Sequence, residues 1–173
     1  AHERHRKKRT VMISGGSTIQ ALHLARNFHS AGARVVAFEF EGLFALARFS
    51  TAVDKFYTLP ISAKTNANEY INALINIVEK ESPTLYIPVC ANSPAYFDAL
   101  AKPHLELEGV QKIFCPGAQE VSILDDIGSV LKKCESRNIP TPPYRTLTCK
   151  EDLMKLYDSG FMKNFRNVLI ATG

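Results

Sequence analysis

Several short stretches of this chain carry residue types that can hold or activate a small ligand. Gly15-Gly16-Ser17-Thr18 follows the apolar run Val11-Met12-Ile13-Ser14 and precedes residues at helical spacing. A strand, a tight turn and a helix in that order bring backbone N–H groups to a helix N-terminus, where an anion is favoured. The competing reading is a purely structural turn capped by Ser17. The stretch is not G-x-G-x-x-G, because Thr18 and Ala21 stand where later glycines are needed, and no Gly-Lys-Ser/Thr follows to make a Walker loop. Glu39 closes the second apolar run, where a dinucleotide fold often places a ribose-binding acid; solvation at a strand end and contact with another ligand are the alternatives.

Arg48, in Arg48-Phe49-Ser50, can clamp a carboxylate or phosphate bidentately or stand solvated. Cys90-Ala91-Asn92-Ser93-Pro94 lies between a strand and a helix, at the carboxyl edge where open α/β sheets bind ligands. Asn92 suits a helix cap, and Asn92 and Ser93 suit ligand contact; the two roles are compatible. Cys90 lacks a sequence-local base and is a weak candidate nucleophile. Asp125-Asp126 opens a helix, where capping is expected; adjacent side chains diverge, so a catalytic carboxylate pair is not. No residue is assigned a catalytic role.

The elements that must position these residues follow from periodicity. Strands are expected at 11–14, 34–40, 55–59, 84–89 and 110–114. Pro88 ends the fourth strand or puts it at an edge. Helices are expected at Thr18–His29, with Ile19, Leu22, Ala25 and Phe28 inward and Gly32 as the stop, and at Ala67–Lys80, with Tyr70, Ile71, Leu74, Ile75 and Val78 inward. Further helices are expected at Ser93–Lys102, stopping near Pro103, at Ala118–Leu124, and from Asp125 or Asp126 to Arg137. A short helix fits the segment Leu43–Ser50. Beyond Asn138-Ile139-Pro140-Thr141-Pro142-Pro143, which cannot be helical, come an expected strand Tyr144–Leu147, a helix Cys149–Tyr157 and a strand Val168–Ala171. Alternating strands and helices imply an α/β fold, a Rossmann-like open parallel sheet with helices on both faces. The short piece past the prolines cannot bury its own face and reads as a truncated second-domain fragment. The expected division is a basic tail at 1–10, the Rossmann-like domain at 11–124 and the hinge plus fragment at 125–173.

The chain's 173 residues, 46% of them hydrophobic, suffice for one core. Its net charge of +4 comes from Arg4, Arg6, Lys7, Lys8 and Arg9 against Glu3; the remaining chain is balanced. The charge therefore describes a tail, and a nucleic-acid partner is not expected. The tail reads as solvated and disordered; a second reading makes it a juxtamembrane cluster on the cytoplasmic side of a membrane, with an anchor upstream of Ala1. No signal or spanning segment is visible, and a cytoplasmic location is expected. Cys90, Cys115, Cys134 and Cys149 form no C-x-x-C and read as reduced structural thiols. His23 and His29 share a helix but not a face, so no metal pair is expected.

Together these stretches resemble an ATP-grasp ligase: the domain that precedes the ATP-grasp fold and the start of that fold. The pattern is similar to the ligase of mycosporine synthesis and its carbamoyl-phosphate-synthase-like relatives. The resemblance rests on ISGG at 13–16, ALHLARNFHSAG at 21–32, RFSTAVDKFYTLP at 48–60, YINALINIVEKE at 70–81, YIPVCANSPAYFDALAKP at 86–103, and LDD at 124–126 with NIPTP at 138–142. It implies a carbon–nitrogen ligase that activates a carboxylate-type acceptor as an acyl phosphate with ATP and Mg2+. It further implies that Gly15, Gly16 and Ser17 help hold a small anionic acceptor, with Arg48, Asn92, Ser93 and Tyr96 facing the same cleft. The glycine-rich flap, adenine strand and magnesium carboxylates of such ligases lie further along. These 173 residues are therefore expected to be inactive alone and to bind neither ATP nor Mg2+, with the remaining ATP-grasp domain and a second copy as partners. The family's basic residue after the second aspartate is Ile127 here. That departure favours an alternative, a non-catalytic binding or scaffold module that has lost ATP chemistry. A third reading is a nucleotide-sugar or NAD-binding Rossmann protein.

Overall fold

The computed structural model describes residues 9–89 and 95–165. Of the basic tail expected at 1–10, residues 1–8 lie outside the described residues, as do Cys90, Asn92 and Ser93 and the strand expected at Val168–Ala171; Thr10 instead opens the first strand and is buried. The chain divides into two compact units, Ala1–Val121 and Ser122–Gly173.

The first unit is built on five parallel strands, β1 (Thr10–Ile13), β2 (Arg34–Phe40), β3 (Lys55–Leu59), β4 (Leu85–Ile87) and β5 (Lys112–Ile113), in the order β3-β2-β1-β4-β5. β1 is central, pairing Val11 with Val35 and with Leu85. Successive side chains on a strand point to opposite faces, so β1 serves two cores. Val11 and Ile13, with Val35, pack under helix α1 (Ile19–Ser30). Met12, with Val36, Phe38 and Tyr86, packs under helices α2 (Ala67–Glu81) and α3 (Ala95–Leu107). This is the expected α/β fold: an open, all-parallel Rossmann-like sheet with helices on both faces.

Helix α1 is capped by Thr18, whose Oγ1 accepts the Ala21 N–H at 3.1 Å, and not by Ser17. Both residues suit a cap; Thr18 takes it because the 3-residue reach from Thr18 to Ala21 begins one residue later. Its inner face is Ala21 and Ala25 with Leu24 and Phe28. Ile19, expected inward, is 62% exposed, because the stripe through the two alanines turns it to the sheet's carboxyl rim. On α2 the buried stripe is Tyr70, Ile71, Leu74, Ile77 and Val78, each worth about 1.5–3 kcal/mol relative to exposure.

Helix α3 corrects the expected stop at Pro103, which lies inside the helix. The lost backbone bond is offset by the next turn, where Leu105 is fully buried, and Lys102 Nζ fastens the helix to the Cys115 carbonyl at 2.9 Å. β4 ends before Pro88 and lies between β1 and β5, not at an edge. A 3-10 turn, Leu46–Phe49, occupies the segment expected as a short helix. Helix α4 (Ala118–Leu124) has the expected bounds.

In the second unit, α5 (Ile127–Glu135) and α6 (Lys150–Asp158) have no buried residue. Residues 144–147 form no strand among the described residues. A strand needs a neighbour to take its N–H and C=O groups, and the segment has none there. No helix among the described residues is long and apolar enough to cross a membrane.

Candidate functional site at the carboxyl edge of the sheet

Sheet order reverses direction between β1 and β4, and in open α/β sheets ligands bind outside the carboxyl ends at that point. The glycine turn leaves β1 there. Gly15 has φ +68°, and a side chain on it would drive into the Val89 carbonyl beyond β4. A Cβ on Gly16 would lie 2.8 Å from the Phe56 ring and 3.2 Å from the Phe38 carbonyl oxygen. Both glycines are therefore demanded by close backbone approach. Ser14 is buried, and its Oγ accepts the Val89 N–H at 2.7 Å, tying the β1 turn to the exit of β4.

The turn is equally fastened to β2. Gly16 N–H donates to the Phe38 carbonyl at 3.0 Å, and the Gly16 carbonyl accepts Ala47 N–H at 2.9 Å. The second bond holds the 3-10 turn bearing Arg48 against the glycines. Arg48 is exposed, and its guanidinium has no hydrogen bond or ion pair among the described residues. Around it the rim is apolar: Ile19, Phe44 and Phe49 are exposed, with the two phenylalanine rings stacked at 5.6 Å. Tyr96 stands on the first turn of α3 and is 41% exposed.

Thus Gly15, Gly16, Ser17 and Arg48 are brought together at one edge. Tyr96 lies on the helix that comes next in the chain after β4. Asn92 and Ser93 lie outside the described residues.

Glu39 is neither a solvated strand end nor an open ligand acid. It is 2% exposed, with Oε2 accepting Ser17 N–H at 3.0 Å and Oε1 accepting Phe40 N–H at 2.9 Å. Thr18 N–H donates to the Gly15 carbonyl at 2.9 Å. The N–H groups of Gly16, Ser17 and Thr18 are all committed within the protein. This corrects the picture of a vacant anion cradle: a carboxylate of the chain already faces the Ser17 donor.

Sequence reasoning missed a buried cluster behind α3. Asp98 is fully buried, and its Oδ1 accepts Tyr70 OH at 2.8 Å and Tyr86 OH at 2.6 Å; the two hydroxyls lie 3.3 Å apart. Burial first, then the Asp98 charge, pushes the Tyr86 phenol well above its ordinary range. Burial and the same carboxylate raise the Cys115 thiol, against the opposing pull of Lys102. The cluster pins α3, and with it Tyr96, to α2 and β4. An aspartate among Ala95, Ala99, Ala101 and Leu105 was the available signal: a charge on an apolar helical stripe requires partners.

In the second unit, Asp126 caps α5 by accepting Ser129 N–H at 2.7 Å, and this bonding holds its carboxyl below the usual range. Backbone and hydroxyl bonds from Thr148 bring Asp152 to about 2. Ile127 opens α5 and is 55% exposed. A shallow cavity of about 430 Å³ lies along the proline turn, lined by Glu135, Pro142, Tyr144 and Arg145. Among the described residues no three His, Cys, Asp or Glu side chains are grouped as metal ligands.

No protein-family model and no curated protein matches this sequence. Solved structures do. Biotin carboxylase from Campylobacter jejuni, solved as a complex with β,γ-ATP, matches with a TM-score of 0.60 at 15% identity, over 87% of this chain and 33% of its own. Urea carboxylase from Kluyveromyces lactis matches with a TM-score of 0.55 at 20% identity, over 78% of this chain and 12% of its own. The K. lactis urea amidolyase matches with a TM-score of 0.55 at 19% identity, over 78% of this chain and 8% of its own. At these identities the likeness is one of fold: the open parallel α/β sheet of this chain is shared with the matched parts of these carboxylases. The chain spans a third or less of the length of each of these proteins.

Proposed function

We propose that residues 11–121 form the acceptor-substrate side of an ATP-grasp carbon–nitrogen ligase, and that residues 122–173 begin its ATP-grasp domain. The observation that supports the reading is the fold shared with biotin carboxylase and urea carboxylase, with Gly15, Gly16 and Ser17 at the β1/β4 switch point. Arg48 is an exposed cation at that rim, without a hydrogen bond or ion pair among the described residues, and pairs with the acceptor's carboxylate or phosphate as a planar fork. Tyr96, exposed on the first turn of α3, adds a contact from the β4 side, and Asn92 and Ser93 are further proposed contacts.

Among the described residues, the glycine turn does not fit the phosphates of ATP. The turn's N–H groups are bonded internally, and a carboxylate faces the helix start. ATP and Mg2+ accordingly belong to the ATP-grasp part of the parent protein, and no step through them is assigned to residues 11–121. Exposed Ile127, at the place of the family's basic residue, favours a second reading: a binding module in which the fold persists without ATP chemistry.

The test is Arg48→Ala in the full-length parent. A charge-assisted hydrogen bond is worth about 1.5–3 kcal/mol, so KM for an anionic acceptor rises about 10- to 100-fold. KM for ATP stays unchanged. A variant that moves KM for ATP and leaves the acceptor's KM alone contradicts this assignment. A parent that hydrolyses no ATP with any carboxylate acceptor supports the binding module.

A further inference from the structure

In open α/β folds of this strand order, a ligand's phosphate sits at the N-terminus of the helix after β1, while the acid ending β2 reaches outward to a ribose. Here both halves of that arrangement are present but joined to each other. Glu39 ends β2, turns inward, and places Oε2 on the Ser17 N–H at 3.0 Å and Oε1 on the Phe40 N–H at 2.9 Å. It is buried, so its carboxylate is held by the turn and not by bulk water. A buried carboxyl group requires hydrogen-bond partners, and a helix start supplies donors. The Gly16 and Thr18 N–H groups donate to the Phe38 and Gly15 carbonyls, so three successive turn donors, Gly16, Ser17 and Thr18, are committed within the protein.

We propose that Glu39 is a specificity-determining residue: an internal anion that reserves the helix start and bars phosphate groups from the glycine turn. The crevice is thereby closed to nucleotides and dinucleotides at the point where this strand order usually takes them. It is left to ligands recognised from the rim, through Arg48. The inference rests on the geometry of the turn and stands apart from the ligase reading.

The experiment follows the backbone amide resonances of Ser17 and Phe40 in 15N-labelled residues 1–173, in chloride-free buffer, as inorganic phosphate and then NADH are added. In the wild type both amides stay unmoved. Glu39→Ala frees the Ser17 N–H and removes the charge, and phosphate then binds at least tenfold more tightly than to the wild type, reported at Ser17. Glu39→Gln, which keeps an acceptor at that N–H, binds phosphate more weakly than Glu39→Ala. Saturable movement of Ser17 in the wild type overturns the proposal, even where neither variant folds. So does a folded Glu39→Ala variant that gains no phosphate binding.

Discussion

Gly15→Ala isolates the close approach on which the crevice depends. Gly15 has φ +68°, and Gly42 has φ +81°, so alanine at either position meets the same left-handed strain of about 1 kcal/mol. The surroundings differ. A Cβ on Gly42 meets open space, whereas one on Gly15 meets the Val89 carbonyl oxygen and lies 3.1 Å from Val89 Cβ. The carbonyl is backbone and cannot rotate away, so β1 and the β4 exit must separate. Overpacking of that kind adds about 1–3 kcal/mol, for a total of about 2–4 kcal/mol at Gly15 against about 1 kcal/mol at Gly42. With an m-value of about 1.5 kcal/mol/M, the urea midpoint falls by about 2 M for Gly15→Ala and by about 0.7 M for Gly42→Ala. Far-UV circular dichroism reads both. Equal midpoints for the two variants would refute the argument that Val89 and Gly15 are in obligatory contact.

Two further outcomes test the packing. Asp98→Ala leaves the Tyr70 and Tyr86 hydroxyls short of an acceptor and costs about 3 kcal/mol; adding Tyr70→Phe and Tyr86→Phe recovers part of that loss, and a triple variant less stable than Asp98→Ala contradicts the cluster's energetics. At the other end of the sheet, Glu81 bonds Arg34 and Tyr57; burial raises its pKa, but the bonds from Tyr57 and Arg34 outweigh it and leave the carboxyl below its ordinary value. The stabilisation is therefore present above the unfolded-state pKa and is lost as pH falls through the lower folded-state pKa. Glu81→Gln should cost about 1 kcal/mol at pH 7, with the gap to wild type closing in acid; a gap that widens as pH falls is the contrary result.

Much of the architecture was legible because it is written locally. Lys55–Leu59 ends at Pro60, and Ala118–Leu124 is framed by Pro116-Gly117 and the two aspartates. The alternation of strand and helix announced the parallel sheet before any coordinate. What was not legible depends on partners distant in the chain. Nothing near Pro103 says that Leu105 will be buried deeply enough to carry α3 onward, and nothing in Tyr144–Leu147 says that it will pair with no strand among the described residues. Thr18 and Ser17 are equivalent as caps until the helix start is fixed. Glu39 could be picked out as an acid at a strand end, but its direction is set by Ser17, 22 residues earlier. The same distance hid the role of Ser14, whose hydroxyl reaches Val89 across the β1/β4 junction. The candidate crevice was thus foreseen as a place, while the bonds that shape it were not.

The central claim, that the first unit supplies an acceptor side and holds no nucleotide, is tested most directly by calorimetric titration of Mg-ATP into residues 1–173 and into the full-length parent. No heat of binding to residues 1–173, with saturable binding to the parent, is the outcome this account requires. Stoichiometric, tight binding of Mg-ATP to residues 1–173 would contradict it.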